Sequence, residues 1–339
     1  MEITTGPETG ISTGLRQWTM RDIPLAVRLS FDLQKLSLAC AGLMAACLAY
    51  GAFAWLGDQT GEGKAAQRVF TVLGALLATC TCVLFSGMVA RMTTVQLLED
   101  RRASAAEMRQ FARERWRTLV GIPLSFGGIA ITMMLAQGML TMVGAIPGIG
   151  PVVFSASFLV AFSMSLVAVL TALVHMIGAF LYPSIIAMRG GGAVSATLEV
   201  VELARRKPLL LMMYEAIVGA VGLLMTLIIG VVVWASVRLT NTTARGTLGE
   251  RFETMRAAVP DFFRIFLRPL RGVLPLEATV ENLPWHYDVS GILLGLSLLV
   301  LVVMTLAYPF VFFTSAGSIT YLILGHDPTQ RERSPIEDL

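Results

Sequence analysis

The sequence predicts an all-α polytopic membrane protein, with about six transmembrane helices and additional amphipathic helices at the membrane interface. The 339 residues are 55% hydrophobic and only 14% charged, with a mean hydropathy of +0.71, which is far more apolar than a soluble domain. The stretch 118–188 contains no Lys, Arg, Asp or Glu. Because one span needs only about 20 apolar residues, this stretch is long enough for two spans.

The N-terminal segment 1–35 is predicted to form a polar tail followed by an interfacial amphipathic helix. Apolar and charged residues recur at helical spacing after Trp18, on two different faces. The apolar face comprises Ile23, Val27 and Phe31, and the polar face comprises Arg28, Asp32 and Lys35. The alternative is an extended start to the first span. No cleavable signal pattern is visible, so we expect the first span to direct insertion.

The six-span membrane domain is predicted to occupy residues 36–325, followed by a tail at 326–339. The two spans in the charge-free stretch are separated by a turn at 144–151 that contains two prolines and three glycines. Pro309 is expected to kink the last span. The predicted spans are 36–57, 69–90, 118–146, 152–185, 208–237 and 290–325, with a loop at 238–288 before the last one.

The connectors between spans are basic and amphipathic. Residues 91–117 contain seven arginines, and Ser104 with Glu107 has the spacing of a helix capping box. A second basic connector covers 189–207. The loop GDQTGEGKAAQR approaches a phosphate-binding loop, but Asp58 and Ala65 occupy positions where that motif needs Gly and Ser or Thr. We therefore exclude a nucleotide site there.

A second interfacial helix is predicted at 260–271, where aromatic and basic residues occupy different faces. Tryptophans at span ends also favour the interface, and all five (Trp18, Trp55, Trp116, Trp234, Trp285) fall there. The candidate lipid-interface residues are Phe262, Phe263, Phe266, Arg264, Arg268, Trp18 and Trp285.

The distribution of basic residues predicts the orientation. With the N-terminus inside, 17 of the 26 Lys and Arg residues lie in cytoplasmic segments and 9 in outer segments. We therefore expect both termini to be cytoplasmic.

Two other patterns each have two interpretations. The first two spans contain four cysteines: Cys40, Cys47, Cys80 and Cys82. They could form a thiol pair or a soft metal site, or simply pack between helices; packing is favoured.

An offset of 92 residues aligns Glu107 with Glu199 and overlays spans two and three on spans four and five. This is either a parallel repeat or the similarity of two basic connectors, and the second is favoured.

Several segments resemble a group of uncharacterised bacterial six-span inner-membrane proteins. The segments are ARMTTVQLLEDRRAS, FARERW, the IPGIGP turn, ARRKPLLLMMYEAI and AYPFVFFTSAGSITYLIL. A looser similarity exists to the membrane domain of some glycerophosphodiester phosphodiesterases. The resemblance implies topology and a bacterial inner membrane, and it implies no activity.

Two ionisable residues inside predicted spans form the candidate intramembrane polar site. Glu215 and His175 lie at comparable depths on spans five and four, so they could share a hydrogen bond. An ionisable group in the membrane suggests function, although each residue could also have a purely structural partner.

The sequence favours a non-catalytic integral membrane subunit or scaffold, with membrane lipids and protein partners or a second copy as its contacts. The alternative is a permease domain that moves a lipid or small solute with a separate energising partner. An intramembrane hydrolase is the weakest class, because no catalytic motif or paired carboxylates occur. No cofactor, metal site or nucleic-acid role is predicted.

Overall fold

The computed structural model describes residues 22–59, 63–266 and 284–325, and in these residues every regular element is a helix. Within them, six helices are long and apolar enough to cross a membrane, which confirms the predicted fold class. These six are α2 (Leu33–Gln59), α3 (Gly63–Leu98), α4 (Ala105–Gly144), α5 (Gly150–Gly178), α8 (Pro208–Leu248) and α11 (Trp285–Leu324). The shorter helices are α1 (Ile23–Ser30), α6 (Leu181–Arg189), α7 (Ala193–Arg206), α9 (Glu250–Ala257) and α10 (Asp261–Phe266).

Helix α4 joins the second half of the arginine-rich connector, from Ala105, to the third span in one continuous helix. Its start is the predicted capping box: the Ser104 hydroxyl accepts from the Glu107 backbone N–H at 3.2 Å. The Glu107 carboxylate in turn accepts from the Ser104 backbone N–H at 2.8 Å. These two bonds satisfy backbone donors that would otherwise lack partners at the helix start.

The turn between α4 and α5 lies at the predicted position. Helix α4 ends at Gly144 and α5 begins at Gly150, and Gly148 adopts a φ of 86° between them. That left-handed conformation favours glycine over residues with a side chain.

The fourth span differs from its predicted range of 152–185, because α5 ends at Gly178 and a separate helix, α6, begins at Leu181. Proline lacks a backbone N–H and its ring clashes with the carbonyl four residues earlier. Pro183 therefore disfavours one continuous helix through Ala179, and it is accommodated in the first turn of α6. Nearly all of α6 is buried, from Leu181 to Ala187.

The N-terminal amphipathic segment is also interrupted. Helix α1 ends at Ser30, and α2 begins at Leu33 after a break at Phe31 and Asp32. The break changes which side chains face the protein: Lys35, placed by periodicity on the polar face, is fully buried. The part of the interfacial-helix prediction that concerns residues 1–21, including Trp18, lies outside the described residues.

Helix α11 is the central element of the bundle. It contacts α1, α2, α3, α6 and α8, as well as the short helices α9 and α10. Its second half is buried almost continuously from Val311 to Tyr321, whereas its first half has an exposed face. The helix contains Pro309 and continues through it.

Helix α8 extends past the predicted span end at residue 237, as far as Leu248. The start of the predicted loop 238–288 is therefore helical, and α9 and α10 follow. The ion pair between Arg245 and Glu253, at 2.8 Å, joins α8 to α9. The rest of that loop, 267–283, and the tail at 326–339 lie outside the described residues.

Candidate functional site

The predicted pair of Glu215 and His175 is not joined by a hydrogen bond. The His175 imidazole lies between two aromatic rings, with centroid distances of 5.0 Å to Phe126 and 6.3 Å to Tyr182. Its Nδ1 is buried without a hydrogen-bond partner among the described residues. Glu215 is half-buried on α8. The hydrogen bond considered between spans four and five is therefore not formed, because His175 packs against α4 and α6 instead.

A polar cluster that the sequence analysis missed is buried between helices near the start of α2. The Lys35 ammonium donates to the Thr93 hydroxyl at 2.9 Å, and the hydroxyls of Thr93 and Ser315 are 3.1 Å apart. All three side chains are buried, with at most 1% exposure. These bonds connect α2, α3 and α11.

A second buried polar contact involves α11. The hydroxyls of Ser184 and Ser318 are 3.0 Å apart and completely buried, which joins α6 to α11. Arg91 donates to the carbonyl of Ala187 at 3.0 Å, which joins α3 to the end of α6. In an apolar interior, a polar group without a partner is costly, so these bonds favour one arrangement of the four helices.

The Thr93–Ser315 and Ser184–Ser318 contacts join segments that are far apart in the sequence. Thr93 lies in ARMTTVQLLEDRRAS, whereas Ser315 and Ser318 lie in AYPFVFFTSAGSITYLIL. The spacing of Ser315 and Ser318 is a detectable signal, because small residues three or four apart place a close-packing face on a helix. Lys35 gives no comparable signal, since lysines near span ends commonly extend to the interface.

The end of α11 is fixed by three charged side chains. The Tyr321 hydroxyl donates to Glu199 on α7 at 2.5 Å, and Arg189 pairs with the same carboxylate at 2.9 Å. The Lys207 ammonium donates to the Leu324 carbonyl at 3.3 Å. A cation at a helix C-terminus is electrostatically favourable, so this end of the bundle is fixed to the α7 connector.

The break between α1 and α2 borders an open groove of about 1260 Å³, near the end of α3. Its lining is mixed, with arginines, two aspartates, amides and several apolar side chains. Burial alone raises the pKa of the Asp32 carboxyl. Hydrogen bonds from the Gln96 side chain and the Gln34 backbone, together with the charges of Lys35 and Arg102, nevertheless bring that pKa below its usual value.

The aromatic residues of the predicted interfacial helix contact other helices. Phe262 and Phe266 lie against Gly51 of α2, and Phe263 lies against Gly295 of α11. Lipid contact by their remaining surfaces stays a prediction. Trp285 is 77% exposed at the start of α11. Trp18, Arg268 and the Arg264 side chain lie outside the described residues.

The four cysteines are free thiols. Within the described residues, no group of three or more His, Cys, Asp or Glu side chains is placed to hold a metal ion. The burial of Cys80 and the half-burial of the others agree with packing between helices.

The six long apolar helices define a multi-pass membrane protein. No family model, curated protein or solved structure gives a significant match to this chain.

Proposed function

We propose that this chain is a non-catalytic integral membrane subunit or scaffold that assembles with partner helices or with a second copy of itself. Its environment is the bacterial inner membrane, with both termini cytoplasmic, as the basic connectors and the resemblance to six-span inner-membrane proteins indicate. Its contacts are membrane lipids and proteins, and nucleic acid is not among them.

The main support is the surface of α5. This helix packs mainly on α4, and its only buried residues are Gly150, Ala161 and Gly178. Large apolar side chains point away from the protein, including Leu159 at 73% exposure and Val152 at 67%. Helices associate in membranes by close packing rather than by hydrophobic burial, so this surface is available for partner helices as well as for lipid.

The chemistry of the buried polar groups also favours an assembly role. The hydroxyls of Thr93, Ser315, Ser184 and Ser318 bind one another or backbone carbonyls. Groups engaged in this way hold helices together. An intramembrane hydrolase remains the weakest class, because the sequence contains no catalytic motif.

A second candidate function is a permease domain that moves a lipid or small solute with a separate energising partner. The groove of about 1260 Å³ beside α1, α2 and the end of α3 is the observation that favours it. A groove at one end of the bundle supports binding more directly than passage, so the scaffold remains the first choice.

Site-specific photo-crosslinking in native membranes tests the proposal. Benzoylphenylalanine at Leu159, on the exposed face of α5, should give one or two discrete protein adducts, whose identification distinguishes a partner from a second copy. Leu293 of α11, which is 59% exposed, serves as a control position and should give few. Protein adducts absent at Leu159, or equally abundant at both positions, would refute assembly through α5.

A further inference from the structure

The groove between α1, α2 and the end of α3 lies where two spans terminate. Helix α2 begins at Leu33 and α3 ends at Leu98, and both are candidate membrane spans. Span ends lie at the level of the lipid headgroups, because the hydrocarbon core accommodates only the central residues of a span. The groove is therefore at the correct depth to meet the polar part of a lipid.

Two of the arginines that line the groove are available for an anion. Arg101 is already paired, with Glu99 at 2.6 Å and Glu107 at 2.9 Å. Arg28 and Arg102 are exposed and form no hydrogen bond or ion pair with any described residue. Guanidinium groups bind phosphate oxygens with two parallel hydrogen bonds, so each of these two side chains suits a phosphate group.

The acidic side chains of the lining form no ion pair with these two arginines among the described residues. The two Asp32 oxygens are occupied, since Oδ2 accepts from Gln96 at 2.7 Å and Oδ1 accepts from the Gln34 backbone at 3.0 Å. The charge of Arg101 is balanced by Glu99 and Glu107, so Arg28 and Arg102 face Asp32 and Asp100 in the lining and offer free guanidinium donors rather than a net positive charge.

The apolar lining indicates what is attached to the phosphate. Leu33 is 80% exposed and Phe31 is 60% exposed, beside Leu25, Leu29 and Leu97 in the same groove. Large apolar side chains next to free arginines suit an amphipathic ligand, and they do not suit a free inorganic anion, which gains nothing from apolar surface.

We infer that this groove binds one phospholipid, with Arg28 and Arg102 on the phosphate and the apolar side chains Phe31 and Leu33 against the start of an acyl chain. The site is independent of the α5 surface and of the assembly proposed above. The groove would hold this phospholipid at the junction of α1 and α2, close in sequence to the buried Lys35.

Native mass spectrometry of the full chain, titrated with phosphatidylglycerol, tests the inference. Replacing both arginines (Arg28→Gln with Arg102→Gln) should weaken binding by about tenfold or more, because charge-assisted hydrogen bonds are lost. The matched control is Arg109→Gln, an exposed arginine of α4 outside the groove, which should retain wild-type affinity. Each single variant should lose part of the affinity, which provides the same readout if the double variant folds poorly.

Two ligand controls separate the sources of binding. Diacylglycerol, which has the acyl chains without phosphate, should bind the wild type as weakly as phosphatidylglycerol binds the double variant. Inorganic phosphate should fail to compete at millimolar concentration. Equal binding of both lipids would show a merely apolar groove, and competition by phosphate would show a free-anion site. Either result, or unchanged affinity in the double variant, would overturn the inference.

Discussion

At the scale of single residues, the most unusual feature is a lysine that is completely buried inside a membrane domain. Lys35 has the Thr93 hydroxyl as its hydrogen-bond acceptor, and Thr93 in turn contacts Ser315. Burying a charge is costly unless it is compensated. Loss of the bond between Lys35 and Thr93 should therefore cost more free energy at Lys35 than at Thr93. The Thr93 hydroxyl also donates to the Val89 carbonyl at 2.9 Å.

A double-mutant cycle tests this asymmetry. Thr93→Val leaves the buried ammonium without its hydrogen-bond acceptor, which should lower the free energy of unfolding by about 1–3 kcal/mol. Lys35→Met removes the charge and should be neutral or stabilising. The double variant should regain most of the stability that Thr93→Val loses. Additive effects, measured by unfolding in mixed micelles, would show that the two side chains are not coupled.

The second residue-scale prediction concerns Glu215, which forms no hydrogen bond or ion pair within the described part of the chain. Glu215→Leu should therefore leave thermal stability unchanged or raise it, since no bond is lost and an acidic group in apolar surroundings is costly. A decrease near the ~0.6–2 kcal/mol of an interhelical hydrogen bond in lipid would show a partner. Glu215→Gln distinguishes the scaffold from the permease. It should have no measurable effect on a scaffold, and it should abolish transport if Glu215 binds the transported ion or proton.

At the scale of elements, two glycines let short helices pack closely on α11. Gly291 lies against the backbone of Ala258, just after α9, and Gly295 lies against the ring of Phe263 on α10. The four-residue spacing of the two glycines places them on one face of the helix. The aromatic residues of α10 therefore dock on α11 as well as on α2.

Gly295→Val should displace α10. An added Cβ would lie 2.7 Å from Cδ2 of Phe263, and overpacking of this kind typically costs about 1–3 kcal/mol. Trypsin should then cleave faster within residues 261–271. Gly219→Val is the matched control, because a Cβ at Gly219 of α8 meets nothing within 4 Å. Equal cleavage rates in the two variants would mean that α10 does not depend on this contact.

At the scale of the whole molecule, the arrangement combines a central helix, α11, with peripheral helices that leave much of their surface exposed. Among the described helices, at least seven contact α11, whereas α5 contacts mainly α4. Stability should therefore be concentrated around α11, and the α4–α5 pair is the part with the most surface for association.

Reporter fusions test the orientation. A reporter after Arg115 or after Arg206 should give a cytoplasmic signal, and one after Arg251 should give an exterior signal, because the candidate span α8 lies between Arg206 and Arg251. Phosphatase and fluorescent-protein fusions give opposite signals on the two sides. An exterior signal after Arg206 would reverse the proposed topology.

The sequence alone determined the fold class, the turn between α4 and α5, and the capping box at Ser104, because these depend on local composition and spacing. Long apolar runs favour membrane spans, and glycines and prolines mark the ends of these spans. The boundaries were less accurate where a proline or a short break intervened, as at Pro183 and at Phe31.

Only the tertiary structure decided which polar residues meet. Periodicity placed Lys35 with Arg28 and Asp32 on an exposed face, and depth alone suggested a bond between Glu215 and His175. Hydropathy specifies how deep a residue lies, but the rotation of each helix about its axis depends on packing with non-local neighbours. The contacts of Lys35 with Thr93, and of α10 with α11, result from that packing and have no signal in any single segment.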